Sequence, residues 1–140
     1  MRPILLLAAY ILVIFFSDGL KAQIYEPARG TVERSAILDA VRPAVESETG
    51  GSVEFIVERL DVLTPWAYAI LHPQRPGGVP ITDFDVLPDQ DLRDGLTTFA
   101  LVRRIEDRWV LIDFAVGPTD AFFVGWPDQF GVPDMLLGLQ

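Results

Sequence analysis

The 140-residue chain carries 11 basic and 20 acidic side chains, a formal charge of −9, no cysteine and a single histidine, His72. These counts exclude a disulfide scaffold, a thiol nucleophile, cysteine-ligated zinc or iron–sulfur centres, and a multi-histidine metal site within one chain. Its length suits one domain and is too short for two Rossmann halves or a (β/α)₈ barrel.

The N-terminus has the pattern of a secretory signal peptide. Arg2 gives a basic start, residues 4–16 are an unbroken apolar run, and Ser17-Asp18-Gly19 breaks it. Leu20-Lys21-Ala22 then offers a small residue before Gln23. The run falls short of the ~20 residues that span a bilayer. Residues 1–22 therefore read as a cleaved leader that leaves no stable membrane anchor. The expected location is exported, periplasmic or secreted. Without Arg2, Lys21 and Asp18 the mature chain keeps 9 basic and 19 acidic residues. Such a surface repels phosphate backbones, and its one basic cluster, Arg103, Arg104 and Arg108, sits beside Glu106 and Asp107. Nucleic acid is therefore not an expected partner.

Residues 23–30 form a flexible polar lead-in to a single domain, 31–140. The stretch 31–48 reads as a helix: Thr31 caps the first turn, and Val32, Ala36, Ile37, Ala40, Val41, Ala44 and Val45 recur at three-and-four spacing. Glu33, Arg34, Asp39, Arg42, Glu46 and Glu48 fall away from that stripe. Pro43 removes an amide donor within the pattern, which predicts a kink or a division into two shorter helices; Gly50-Gly51 ends it. A strand follows in which Val53, Phe55 and Val57 alternate until the apolar phase moves to Leu60 and Val62, predicting a bulge at Glu58-Arg59. Thr64-Pro65 turns the chain into a second strand over 66–71, with Trp66, Tyr68 and Ile70 on one face and Pro73 at its end. Residues 72–95 are rich in proline and glycine and read as a long loop with a short edge segment at 79–84.

Residues 96–104 and 108–116 form a hairpin turning at Glu106-Asp107. Pairing 105 with 108 sets Phe99 opposite Phe114, Leu101 opposite Ile112 and Arg103 opposite Val110 on one face. Val102 then meets Leu111, Ala100 meets Asp113 and Arg104 meets Trp109 on the other. Both faces are apolar, so both need cover. The helix covers one. The C-terminal segment, with Phe122, Phe123, Trp126, Phe130, Leu136 and Leu137, or a second subunit covers the other. A homodimer or a protein partner across a sheet face follows from the second option. The expected fold class is α+β: a kinked N-terminal helix packed on a curved antiparallel sheet of about four strands, with a short C-terminal helical segment.

A helix followed by such a sheet resembles the cystatin-like and NTF2-like α+β superfamily. The stretch Phe99-Ala-Leu-Val-Arg-Arg-Ile-Glu-Asp-Arg-Trp-Val-Leu-Ile-Asp-Phe114 is similar to its closing hairpin, where a tryptophan opens the last strand after a polar turn. The likeness covers roughly half the chain by pattern. The Gly117-Pro118-Thr119-Asp120 corner resembles one in small uncharacterised exported bacterial proteins. The resemblance implies a small-molecule pocket between helix and sheet, or the smaller cystatin-like arrangement. A single helix before the sheet favours the latter.

Asp113, placed by that register among Trp109, Leu111, Ala100 and Ala115, is the first candidate for general acid–base work; a partner in the C-terminal segment is the structural alternative. His72 at the end of the second strand could form a dyad with it, and Tyr68 could assist. Trp66, Trp109 and Trp126, with Tyr68, could line a ligand pocket or simply fill the core. The loop acids Asp83, Asp85, Asp89, Asp91 and Asp94 could hold Ca²⁺ or could be a solvated acidic face. No phosphate loop, dinucleotide fingerprint or nucleophile elbow is present, so no cofactor is implied. The reading is an exported, non-catalytic binding or accessory domain. The alternative is an NTF2-like small-molecule binder or enzyme using a pocket carboxylate.

Overall fold

A computed structural model of the chain describes residues 22–82 and 94–140; residues 1–21 of the proposed leader lie outside them. The elements run α1 (Val32–Thr49), β1 (Glu54–Leu63), β2 (Trp66–Gln74), β3 (Thr98–Ile105) and β4 (Arg108–Val116). A 3₁₀ turn (Phe122–Gly125), α2 (Trp126–Phe130) and α3 (Asp134–Leu137) follow. The four strands form one open antiparallel sheet in sequence order, so β1 and β4 are its edges. This is the α+β architecture read from the sequence.

Local chemistry accounts for the ends of α1. Thr31 stands in extended backbone and its side chain accepts from the Arg34 amide, while Gly50, at φ 74°, donates its N–H to the Glu46 carbonyl. Pro43 does not divide the helix, which runs unbroken for 18 residues. The proline lies on the exposed face, where a carbonyl deprived of its partner can turn to water, and the buried Ile37, Val41 and Val45 hold both halves on the sheet. Two residues of α1 stand opposite to expectation: Val32 is 86% exposed, and Arg34 is only 8% exposed. At about 100° per residue, Arg34 lies within about 20° of Val41 and Val45, whereas Val32 lies about 180° from Val41. Arg34 therefore shares the inward stripe.

In the sheet, the bulge at Glu58-Arg59 is present: the register passes from Val57↔Leu71 to Arg59↔Ile70. Strand β2 runs on through Pro73 to Gln74, further than the proline suggested. Beyond Leu71, β3 no longer pairs with β2, so the missing proline N–H falls where the ladder has one side only. Gly77 and Gly78, both at positive φ, then turn the chain so that the Arg75 amide donates to Val79 O at 2.7 Å. Of the expected 79–84 edge segment, Val79 makes that bridge, and residues 83–84 lie outside the described residues.

Glu106 and Asp107, at φ 48° and 62°, make the two-residue turn of the β3–β4 hairpin. Near the turn the register is the expected one, Arg103↔Val110 and Val102↔Leu111. A second bulge at Ile112 then shifts it to Leu101↔Asp113, Ala100↔Phe114 and Phe99↔Ala115. That bulge corrects three expected pairs, Phe99–Phe114, Leu101–Ile112 and Ala100–Asp113, and moves Asp113 to the opposite face, beside Leu101.

Both faces are covered from within the chain. On one, Ile37, Val41 and Val45 pack on Leu60, Val62, Ala67, Ala69, Ala100 and Val102, with Trp109, Leu111 and Phe114 at the margin. Three alanines beneath α1 let helix and sheet approach closely. On the other, Trp126, Val132, Leu136 and Leu137 pack on Leu63, Trp66, Tyr68 and Leu101. Phe123 stacks on Phe99 at 5.5 Å, and Trp126 meets Tyr68 edge-on at 6.1 Å. Arg59 Nη2 ties β1 to the tail by donating to Leu136 O at 2.9 Å. The second face therefore does not require a second subunit as cover.

Candidate functional site

Asp113 is engaged in structure. The bulge aims its carboxylate at the tail, where Oδ2 accepts the Trp126 indole N–H at 2.8 Å and Oδ1 accepts the Phe114 amide at 3.0 Å. Trp126 is 1% exposed, and its N–H would be a buried orphan without that carboxylate. Tyr68 lies across Leu101 from Asp113, packed against Trp126, with the Arg59 guanidinium 5.0 Å from its ring centroid. Burial pushes the Tyr68 hydroxyl pKa up to about 12. It is a core tyrosine.

His72 does not meet Asp113. Four residues of strand, about 13 Å, and two strand spacings, about 10 Å, separate their places in the sheet. Its imidazole instead pairs Nε2 with Glu58 Oε2 at 2.5 Å, while Nδ1 lies 3.4 Å from Thr97 Oγ1. Glu58 reaches it because Ile56 pairs with His72, and strand alternation puts Glu58, two residues on, on that same face. The bulge was legible in the sequence; the partnership was not, because it links residues fourteen apart across a register shift.

Trp66 is buried beneath Arg103, whose guanidinium sits 4.8 Å from its ring centroid, so both Trp66 and Trp126 are core residues. Trp109 is half-buried and borders a surface groove. Asp83, Asp85, Asp89 and Asp91 lie outside the described residues. Asp94 is exposed, and its amide donates to Gly117 O at 2.8 Å. Among the described residues no group of three or more histidine, aspartate or glutamate side chains converges on a point that could hold a metal.

Two concavities flank the start of the domain. The first, about 310 Å³, is lined by Tyr25, Val32, Glu33, Ala36, Arg104, Asp107 and Trp109. Lead-in residue Tyr25 is held there by a reciprocal backbone pair with Val62, at 3.0 and 2.8 Å, and its hydroxyl donates to Glu33 Oε1 at 2.6 Å. Burial, and then the Glu33 carboxylate, push the pKa of that hydroxyl upward. The second, about 360 Å³, is an open groove lined by Arg29, Arg34, Leu38, Phe55, Ile56 and Val57. Arg34 Nη1 donates to Pro27 O at 3.0 Å and to Glu26 Oε1 at 3.3 Å. Among the described residues its Nε and Nη2 have no hydrogen-bond partner, and Arg29 makes no hydrogen bond or ion pair. Of these groove residues only Trp109 was singled out by sequence as a site. The available signal was Arg34, an arginine in phase with Val41 and Val45.

No protein-family model matches the chain, and neither a curated protein nor a solved structure matches it significantly. Among the described residues no helix is long and apolar enough to cross a membrane.

Proposed function

We propose that the protein is an exported, non-catalytic binding domain that recognises its target with the end of the molecule where the lead-in, the first turns of α1 and the β3–β4 turn meet. One observation carries the reading. Large apolar side chains stay exposed at that end, Val32 at 86%, Ile105 at 44% and Tyr25 at 42%, although both broad faces of the sheet are sealed. Exposed apolar groups beside concave surface are what a recognition surface needs. The ionisable groups Asp113 and Tyr68, which a pocket chemistry would use, are spent on packing the tail.

Complementation of a gene deletion in the native host tests this. The variants Asp113→Asn and His72→Gln, at wild-type abundance, restore the wild-type phenotype, whereas Val32→Asp combined with Arg29→Glu does not. Restoration by the surface double variant would end the proposal. Export is tested separately: the mature protein leaves the cytoplasm with an N-terminus near Gln23, and full-length protein in the membrane fraction would overturn that part.

The Thr97–His72–Glu58 chain favours a second reading. A hydroxyl, an imidazole and a carboxylate in that order is the arrangement of an activated nucleophile, which would transfer the enzymatic role of a carboxylate from Asp113 to Glu58. Failure of His72→Gln alone in the same complementation would select it.

A further inference from the structure

The groove between α1 and the β1 edge combines two features that point to one ligand chemistry. At its wall stands a guanidinium that the fold buries but does not saturate. The Arg34 side chain is 10% exposed, and only Nη1 has protein acceptors. No buried side-chain nitrogen or oxygen among the described residues lacks a partner, so Nε and Nη2 keep contact with solvent on a side chain that lines the groove. Donors left to water on a largely buried guanidinium are open to an acceptor that enters the groove. Arg29 adds a second guanidinium with no acidic neighbour bound to it among the described residues. Glu26, whose side chain is 65% exposed, offsets one of the two charges, leaving a local excess of one positive charge on an acidic protein. The rest of the lining is Leu38, Phe55 and Val57, an apolar floor on the α1 side, with Ile56 bordering it on the β1 edge.

We propose that this groove binds a small organic carboxylate with an apolar tail. The carboxylate takes the paired donors of Arg34 and the charge of Arg29, and the tail covers Leu38, Phe55 and Val57. A planar guanidinium matches a carboxylate in two parallel hydrogen bonds. The volume, about 360 Å³, lies within the range of small-molecule sites. The assignment rests on the binding-domain reading and specifies what one of its surfaces takes.

Titration calorimetry on the mature protein, with octanoate as probe, decides it. Octanoate binds saturably with one site per chain, and the neutral octanamide binds at least ~10-fold more weakly, as expected when a charge-assisted contact is lost. Arg29→Glu weakens octanoate at least ~10-fold while melting as the wild type does, because Arg29 is exposed and makes no hydrogen bond or ion pair among the described residues. Inorganic phosphate binds more weakly than octanoate, and backbone amide shifts on addition of octanoate concentrate at Arg34, Leu38, Ile56 and Val57. Absence of saturable binding overturns the proposal, as do equal affinities for octanoate and octanamide, phosphate binding as tight as octanoate, or undiminished binding by Arg29→Glu. If octanoate fails while the Val32 and Arg29 double variant still abolishes complementation, the ligand class is wrong and the binding-domain reading survives.

Discussion

Asp113 and Trp126 show how one side chain can look reactive in sequence and be structural in space. The carboxylate accepts from the indole N–H of a fully buried tryptophan, so removing either partner leaves the other unsatisfied. Asp113→Ala and Trp126→Phe should each cost about 1–3 kcal/mol in urea unfolding. The double variant should cost less than the sum, with a coupling of at least about 0.5 kcal/mol. Additive effects would remove the pairing. Tyr68 supplies a pH test. Because burial raises its folded-state pKa from 10.0 to about 12, the native state holds that proton more tightly than the unfolded chain does. Its contribution is intact below about pH 10 and is lost as pH rises toward 12. Unfolding free energies measured across that window should fall, and Tyr68→Phe should flatten the fall.

Each element carries a local compromise that tertiary packing overrides. Helix α1 keeps Pro43 because Ile37, Val41 and Val45 are each fully buried, and their packing outweighs a lost ladder bond on the exposed side. Pro43→Ala restores the amide and should stabilise the protein by about 1–3 kcal/mol by thermal or urea unfolding, against no change or a loss if the helix needs its proline. The β3–β4 turn holds two non-glycine residues at positive φ, and Asp107 contributes only an exposed ion pair with Arg104. Replacing Glu106→Asn together with Asp107→Gly suits the same turn and should add about 1 kcal/mol. The helix and its caps, the turn and the β1 bulge were legible because each is set by residues within a few positions of one another. The Ile112 bulge was not. An unbroken apolar run from Trp109 to Ile112 contains no period from which to detect one extra residue, and the slip is decided by what the tail offers to Asp113 on one face and α1 to Phe114 on the other.

For the molecule as a whole, the decisive arrangement is a sheet sealed on both sides by one chain. Ending the chain after Gly117 would bare Trp66, Tyr68 and Leu101. Such a truncation should lose its cooperative unfolding transition and bind hydrophobic dyes; a soluble, cooperatively folded product would show that the tail is dispensable. With both faces closed, the recognition proposed for this protein falls to the rim, where Val32 and the Arg29–Arg34 groove lie. By itself the sequence determined the class of fold, the order of its elements and the apolar character of both hairpin faces, because periodicity, caps and turns act over short distances. Only the tertiary structure decided which face Asp113 joins, that His72 answers to Glu58, that the tail is the second cover, and that Arg34 is half-satisfied in a groove. Those outcomes depend on contacts between segments far apart in the chain, whose geometry is settled by mutual packing and not by local pattern.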